Sequence, residues 1–220
     1  MVTSFIAPNW PAPNNITAFT TTRHLHSLND LNLPCKPRSL QQIHGNDVLA
    51  DHEYIYQKQA DGLYTTQPQV PILIQTADCL PIILCDRQGR QIANLHAGWR
   101  GLASGIIEAG CQHFTGPRTD ILAWIGPSIS AACYQVGSEV REIFINLDSH
   151  LKPAFHPHDQ AETWLVDLKG IAQYQLQQCG IHSISVSPYC TYKDEHLFHS
   201  YRREQGTNGR LFTIIGIDLA

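Results

Sequence analysis

Short runs of β-branched and apolar residues alternate along the chain with turn-forming clusters. Ile16 to Thr22, Ile72 to Thr76 and Ile121 to Ile125 each read as a strand, bounded by polar, glycine or proline positions. Leu80 to Cys85 and Gln91 to Leu95 flank Asp86-Arg87-Gln88-Gly89, a cluster whose side chains favour a tight reversal, and together they predict a hairpin. Leu102, Ile106, Gly110 or Cys111, and Phe114 recur at helical spacing, with small residues between them that would let a helix from Leu102 to Phe114 lie close on a sheet. Ser138 is positioned to cap a helix through Val140 and Phe144. Asp167 is positioned to cap a longer one bearing Leu168, Ala172, Leu176 and Cys179, ended by Gly180 in a left-handed cap. Ile184 to Val186 and Phe212 to Ile217 supply the last strands, and Pro153 to Glu162 reads as a surface loop. Hairpin-paired strands interspersed with helices predict an α+β fold with mixed β-sheets rather than a doubly wound parallel sheet.

Composition narrows the picture. The chain has 220 residues, 43% hydrophobic, with 15 Gly and 13 Pro, which excludes disorder and low-complexity architectures and fits one domain over residues 1–220. No repeat recurs at periods of about 20–50 residues, so solenoids and propellers drop out. Charged residues make up 15%, below the roughly 25% of an average soluble domain, which is compatible with burial of surface in a homodimer. The formal charge is −4 and no basic run exceeds Arg202-Arg203, so a nucleic-acid partner is not expected. The first charged residue is Arg23, nothing before it has the basic head and apolar segment of a signal peptide, and no apolar run approaches the ~18–20 residues of a membrane helix. Seven cysteines, an odd number without any C-x-x-C, suit the reduced cytoplasm.

Three residues carry candidate chemistry. His44 stands where Gln41-Gln42-Ile43 runs into Gly45, Cys79 lies between two strands, and His96 lies where a strand gives way to Ala97-Gly98-Trp99-Arg100-Gly101. All three are expected at strand ends, where side chains beside glycine turns converge. Two imidazoles and a thiolate match a catalytic zinc set, which keeps a fourth position for water or substrate. A buried free cysteine and hydrogen-bonded structural histidines would also account for these residue types, and their spacing matches no zinc-finger or ribbon pattern.

Local sequence is more specific. Gln42-Ile43-His44-Gly45, Ala60-Asp61-Gly62, Thr76-Ala77-Asp78-Cys79-Leu80-Pro81 and His96-Ala97-Gly98-Trp99-Arg100-Gly101 together resemble the laccase-domain family. This family is also called multicopper polyphenol oxidase and is now largely regarded as purine nucleoside phosphorylases. The resemblance continues through Gly126-Pro127-Ser128-Ile129, Cys133-Tyr134-Gln135-Val136-Gly137, Cys190-Thr191, Ser200-Tyr201-Arg202-Arg203 and Gly209-Arg210. It implies a layered αββα-like fold akin to cysteine hydrolases, and a zinc site at His44, Cys79 and His96. It further implies phosphorolysis of adenosine, inosine and methylthioadenosine, with adenosine deamination as a side activity. Two departures stand out: the segment between Arg23 and Gln41 is shorter than the family's, which has a glycine-rich turn and another helix there, and Ser128 replaces a frequent Cys.

Phosphorolysis needs an anion site, and the guanidinium fork suits phosphate. Arg23, Arg100, Arg203 and Arg210, all within or beside the motifs, are candidates for phosphate or ribose contacts. Asp78 is a candidate to accept from a ribose hydroxyl or to orient a metal-bound imidazole. Trp99 and Tyr201 are candidates to stack on a base. The pairs His24-x-His26 and His156-x-His158 fall in expected loops outside the triad. Deamination would use the metal as a Lewis acid, although the H-x-E with P-C-x-x-C pattern of cytidine-type deaminases is missing. Three alternatives follow from the same residues: a Cys-His hydrolase with Cys79 as nucleophile, a zinc-stabilised module without catalysis, and a copper oxidase. The last is weakened because the only methionine that could serve as an axial ligand is Met1, although the triad could take up copper.

Overall fold

The computed structural model describes residues 4–206 and 209–219, so Met1 lies outside the described residues. The strands are β1 (Phe5–Ile6), β2 (Ile16–Thr21), β3 (Val48–Leu49), β4 (Gly62–Thr65), β5 (Ile72–Thr76), β6 (Leu80–Asp86), β7 (Ile92–Ala97), β8 (Ile121–Ile125), β9 (Gln135–Gly137), β10 (Phe155–Pro157), β11 (Thr163–Val166), β12 (Ser183–Val186) and β13 (Leu211–Ile217). The helices are α1 (Trp99–Ser104), α2 (Ile106–Gln112), α3 (Ser138–Leu147) and α4 (Leu168–Gln178). A six-stranded sheet runs β12-β8-β6-β7-β4-β3, parallel at its two outermost pairs and antiparallel within. A four-stranded antiparallel sheet runs β1-β2-β13-β5, and a small third sheet joins β10, β11 and β9. The fold is α+β with mixed sheets, as the pattern of strands and helices predicts.

The period-two alternation of β6 shows how the layers are held. Leu80, Ile82 and Leu84 pack with Leu102, Ile106, Phe144 and Ile171 of the helices, while Ile83 and Cys85 pack with Ile72, Ile74 and Ile215 of the other sheet. All seven residues of β6 are buried, and each aliphatic side chain so enclosed contributes about 1.5–3 kcal/mol. The helices therefore cover one face of the larger sheet and the smaller sheet covers the other. The outer face of the smaller sheet is covered by Leu28, Leu31 and Leu33, which lie on coil with one 3-10 turn (Leu28–Asp30). The segment between Arg23 and Gln41 thus covers this face with coil where an αββα arrangement would have a helical layer.

Several local expectations are met. The hairpin forms with Leu80 opposite Ala97 and Cys85 opposite Ile92. Asp167 caps α4 by accepting from the Gly170 N–H, and Gly180 (φ 82°) ends it as the Ile181 N–H bonds to the Leu176 carbonyl. Others are corrected. The helix expected from Leu102 to Phe114 begins at Trp99 and is divided at Gly105, whose φ of 89° breaks it into α1 and α2. Its buried face is nevertheless the expected one, and Gly110 lies so close to Leu95 that an added Cβ would meet that side chain at 2.7 Å. Gly137, not Ser138, caps α3, because the Ser138 hydroxyl donates to the Glu162 carbonyl and accepts from the Trp164 indole. The expected loop Pro153 to Glu162 contains β10, since Phe155 is buried against Phe144 and pairs across to Val166.

Candidate functional site

The hairpin register builds half of the site. Because Leu80 faces Ala97, the residues just beyond them, Cys79 and Gly98, face each other where the strands open. A Cβ added to Gly98 would lie 2.9 Å from the Cys79 sulfur and 3.1 Å from His44 Nδ1, so only glycine leaves room for both side chains. Along β7 the period of two puts His96 on the face of Ile92 and Asn94, toward the smaller sheet, and Asn94 donates to carbonyls of Ile72 and Thr213 there. The site therefore sits at the end of the layer between the sheets.

His44 arrives from a loop rather than a strand end, at φ 61°. The fully buried Asp61 holds it. Its carboxylate accepts from the backbone N–H groups of Ile43 (3.2 Å), His44 (2.9 Å) and Gly45 (2.7 Å), and lies 2.7 Å from His96 Nδ1. One carboxylate thus fixes the loop bearing His44 and orients the ring of His96, leaving His96 Nε2 to face the site. The rings of His44 and His96 meet edge to face, with centroids 4.7 Å apart.

Electrostatics follow from this arrangement. Burial alone would raise the Asp61 carboxyl, but bonds from His96, Gly45 and Ile43 hold it below the usual carboxylate range. Burial would likewise raise the Cys79 thiol, yet hydrogen bonds with His44 and His96 bring it down to about 6. Burial works against an imidazolium at His96, and hydrogen bonds to Asp61 and Cys79 overcome it, lifting the ring to about 9. Without metal, the group rests as a thiolate beside an imidazolium at neutral pH.

The ligand atoms of His44, Cys79 and His96 all lie within 4.8 Å of one another, the one such His, Cys, Asp or Glu group among the described residues. The donor set fits a borderline divalent metal: two imidazoles, a thiol disposed to ionise, and a carboxylate behind one imidazole of the kind metal-bound histidines ordinarily have. Such a set also accepts copper.

The triad opens onto a cavity of about 590 Å³. Arg100, Arg202 and Arg210 line it, as do Trp99, Tyr134 and Tyr201. The Arg100 guanidinium lies 4.5 Å from the centre of the Trp99 ring, and Arg202 lies 4.9 Å from that of Tyr134 while donating to the Gln135 carbonyl.

The other candidates divide. Arg100 and Arg210 reach the cavity, whereas Arg23 and Arg203 are turned to structural work. Arg203 donates to the carbonyls of Thr191, Tyr192 and Phe198 and pairs with Glu204, and Arg23 donates to the Glu195 carbonyl. Asp78 (φ 93°) borders the cavity, but its carboxylate accepts from Thr191, Ser200 and the Arg202 N–H, so it ties three segments together and Asp61 does the orienting. His24 bonds to the His196 carbonyl, and His156 is exposed on β10; among the described residues neither expected histidine pair belongs to a metal-ligand group. Asp61 and Arg202 both stand in the motifs quoted above, but neighbouring residues do not reveal which carboxylate is buried or which of two adjacent arginines turns inward.

All seven cysteines are free, and no helix among the described residues is long and apolar enough to cross a membrane. A purine nucleoside phosphorylase YfiH of Escherichia coli (strain K12) is 35% identical, over 97% of this chain and 99% of the relative. A purine nucleoside phosphorylase of Pseudomonas aeruginosa is 33% identical over 96% and 98%. Among solved structures, a Neisseria meningitidis protein superposes with a TM-score of 0.89 at 29% identity, covering 98% of this chain and 99% of that one. YlmD from Geobacillus stearothermophilus superposes at 0.81 with 26% identity, covering 99% and 97%. The family described as multi-copper polyphenol oxidoreductase laccase matches residues 20–218, and the chain belongs to that family.

Proposed function

We propose that the chain is a zinc-dependent purine nucleoside phosphorylase that cleaves adenosine, inosine and methylthioadenosine with phosphate, and that deaminates adenosine as a side activity. The observation that carries this reading is the opening of the His44, Cys79 and His96 group onto one cavity with Arg100, Arg202 and Arg210. The relatives named purine nucleoside phosphorylase support the same class of reaction. The guanidiniums bind phosphate and lower the repulsion it meets as it approaches the sugar. The aromatic walls from Trp99 and Tyr201 hold the base and keep water from the anomeric carbon, whose transition state resembles an oxocarbenium ion. Zinc, when bound by the three ligands, supplies Lewis acidity at this end of the cavity. Asp61 keeps His96 and the His44 loop in place for it.

The test is chromatography of products from adenosine incubated with zinc-loaded protein, with and without phosphate. Adenine and ribose 1-phosphate only with phosphate establish phosphorolysis, and inosine in both samples establishes deamination. Intact adenosine in both refutes the reading.

A second reading has its own support, because Cys79, His96 and Asp61 are also connected as the nucleophile, base and orienting carboxylate of a cysteine hydrolase. Metal content and alkylation separate the two. Stoichiometric zinc with an unreactive Cys79 excludes the hydrolase, whereas rapid alkylation of Cys79 in metal-free, active protein establishes it.

A further inference from the structure

Tyr134 is held with unusual firmness for a side chain that bonds to nothing at its tip. It follows the 3-10 turn Ala131–Cys133, its N–H donates to the Ala131 carbonyl, and its own carbonyl accepts from Val166. The next residue begins β9, and Arg202 both donates to that residue's carbonyl and covers the Tyr134 ring. The ring is clamped from its backbone and from one face, yet the phenol has no hydrogen-bond partner among the described residues. Of the polar groups that line the cavity with it, the Gln42 amide is spent on the backbone of Gln75, and Asp78 on its three donors. A partly buried phenol that lines a cavity and has no protein partner is a group prepared for a ligand.

Its position says which part of the ligand. Tyr134 lines the cavity together with Cys79 and with Arg100 and Arg202, the Arg202 guanidinium lying 4.9 Å from the centre of its ring. In a phosphorolysis the bond that breaks lies next to the phosphate that such guanidiniums hold. Phosphate attacks C1′, the C1′–N9 electron pair departs onto the purine, and the proton of monohydrogen phosphate ends on the free base. The purine gathers negative charge on the way, and a donor placed against it lowers the barrier.

We propose that the Tyr134 phenol donates a hydrogen bond to the departing purine and holds the charge that builds on it. The inference rests on the phosphorolytic reading and adds the group that faces the leaving base. Burial, followed by the charge of Cys79, pushes the phenol up to about 12, so it stays protonated and donates without surrendering its proton.

Tyr134→Phe keeps the ring and its contact with Arg202 while removing the donor. The experiment compares inosine with 7-methylinosine, whose base already carries a positive charge on its imidazole ring and leaves without becoming an anion, for both wild-type and variant enzyme in phosphate. With inosine, kcat of the variant falls about 10²-fold, the loss typical of one such donor, with KM for phosphate unchanged. With 7-methylinosine the two enzymes agree within about threefold, since no charge awaits the donor. Equal losses on both substrates would mark Tyr134 as merely structural and overturn the proposal, as would undiminished turnover of inosine. If wild-type enzyme cleaves neither nucleoside, the phosphorolytic reading itself falls and the proposal falls with it.

Discussion

Replacing Asp61 by Asn tests the foundation of the site. The carboxylate receives four donors, three of them backbone N–H groups that can only donate, plus His96 Nδ1. An asparagine offers one acceptor oxygen and turns an NH₂ group toward donors that reject it, so at least two bonds to a charged acceptor are lost in a fully buried place. At about 1.5–3 kcal/mol each, the loss is about 3–6 kcal/mol. For a chain of this size that corresponds to a fall in Tm of roughly 6–24 °C. Even with its oxygen in the Oδ1 place, where it keeps the His44 N–H and His96 Nδ1, the asparagine sets its NH₂ against the Ile43 and Gly45 N–H groups on either side of His44. The loop bearing that ligand therefore shifts, and zinc affinity falls about 10–100-fold, the range found when an outer partner of a metal-bound histidine is removed. Thermal unfolding by circular dichroism reads the first quantity, and zinc titration against a chromophoric chelator reads the second. A variant that melts within about 2 °C of wild type and retains its zinc affinity would refute the argument, because the bonds from which both figures are derived would then contribute nothing.

Other consequences are equally direct. Gly98→Ala is allowed by the backbone (φ −73°, ψ 173°) but sets a methyl against Cys79 and His44, so zinc affinity drops by about 10-fold or more, the cost of overpacking, with Tm little changed; wild-type affinity by chelator competition would contradict the crowding. Zinc capture displaces protons from Cys79 (about 6) and His96 (about 9): two from this pair below pH 6, one between pH 6 and 9, and none above. Affinity therefore rises with pH up to about 9, and calorimetry at pH 7.5 in buffers of different ionisation enthalpy gives heats that differ by one proton's worth; identical heats would refute it. Arg203→Ala destabilises by about 2 kcal/mol or more by stranding three carbonyls, whereas Arg100→Ala leaves Tm alone and raises KM for phosphate about tenfold; melting and steady-state kinetics check the pair, and interchanged effects would reverse the assignment. Leu31→Ala, under the coil that covers the smaller sheet, lowers Tm by a few degrees, about 1–2 kcal/mol for a half-buried leucine, and leaves zinc affinity unchanged; a loss of zinc would show that this segment reaches the site.

The meeting of Cys79 with His96 and Gly98 was legible because it is a matter of counting. A hairpin closed by Asp86-Arg87-Gln88-Gly89 has one natural register, and that register places Cys79 opposite Gly98. Local signals served the long elements well for the same reason: β5 and β8 have the ends their residues predict, and α4 has both of its caps. The missed elements are those whose existence depends on a distant partner. β3 and β9 have two and three residues, too few to show a period, and form only because β4 and β11 lie beside them. β10 is hidden by prolines and histidines whose polarity suggests a loop, and it exists because Phe155 needs the core.

The same division explains the two carboxylates. Asp78 is adjacent to Cys79, and adjacency suggests that it serves the triad; yet it sits in the bend between β5 and β6 at φ 93°, and its carboxylate turns instead to Thr191, Ser200 and the Arg202 N–H. Asp61 is 18 residues from Cys79, and it reaches His96 only because β4 pairs with β7, which puts the residue just before β4 against His96 and lets the His96 N–H bond to the Asp61 carbonyl at 2.7 Å. The shortened segment after Arg23 yields to similar reasoning. The cavity wall takes up residues from Leu40 onward and none between Arg23 and Ser39, while Leu28, Leu31 and Leu33 of that segment lie on the far face of the smaller sheet. A whole sheet thus separates this segment from the triad, and a short connection here thins the cover at the back of the fold without opening the site.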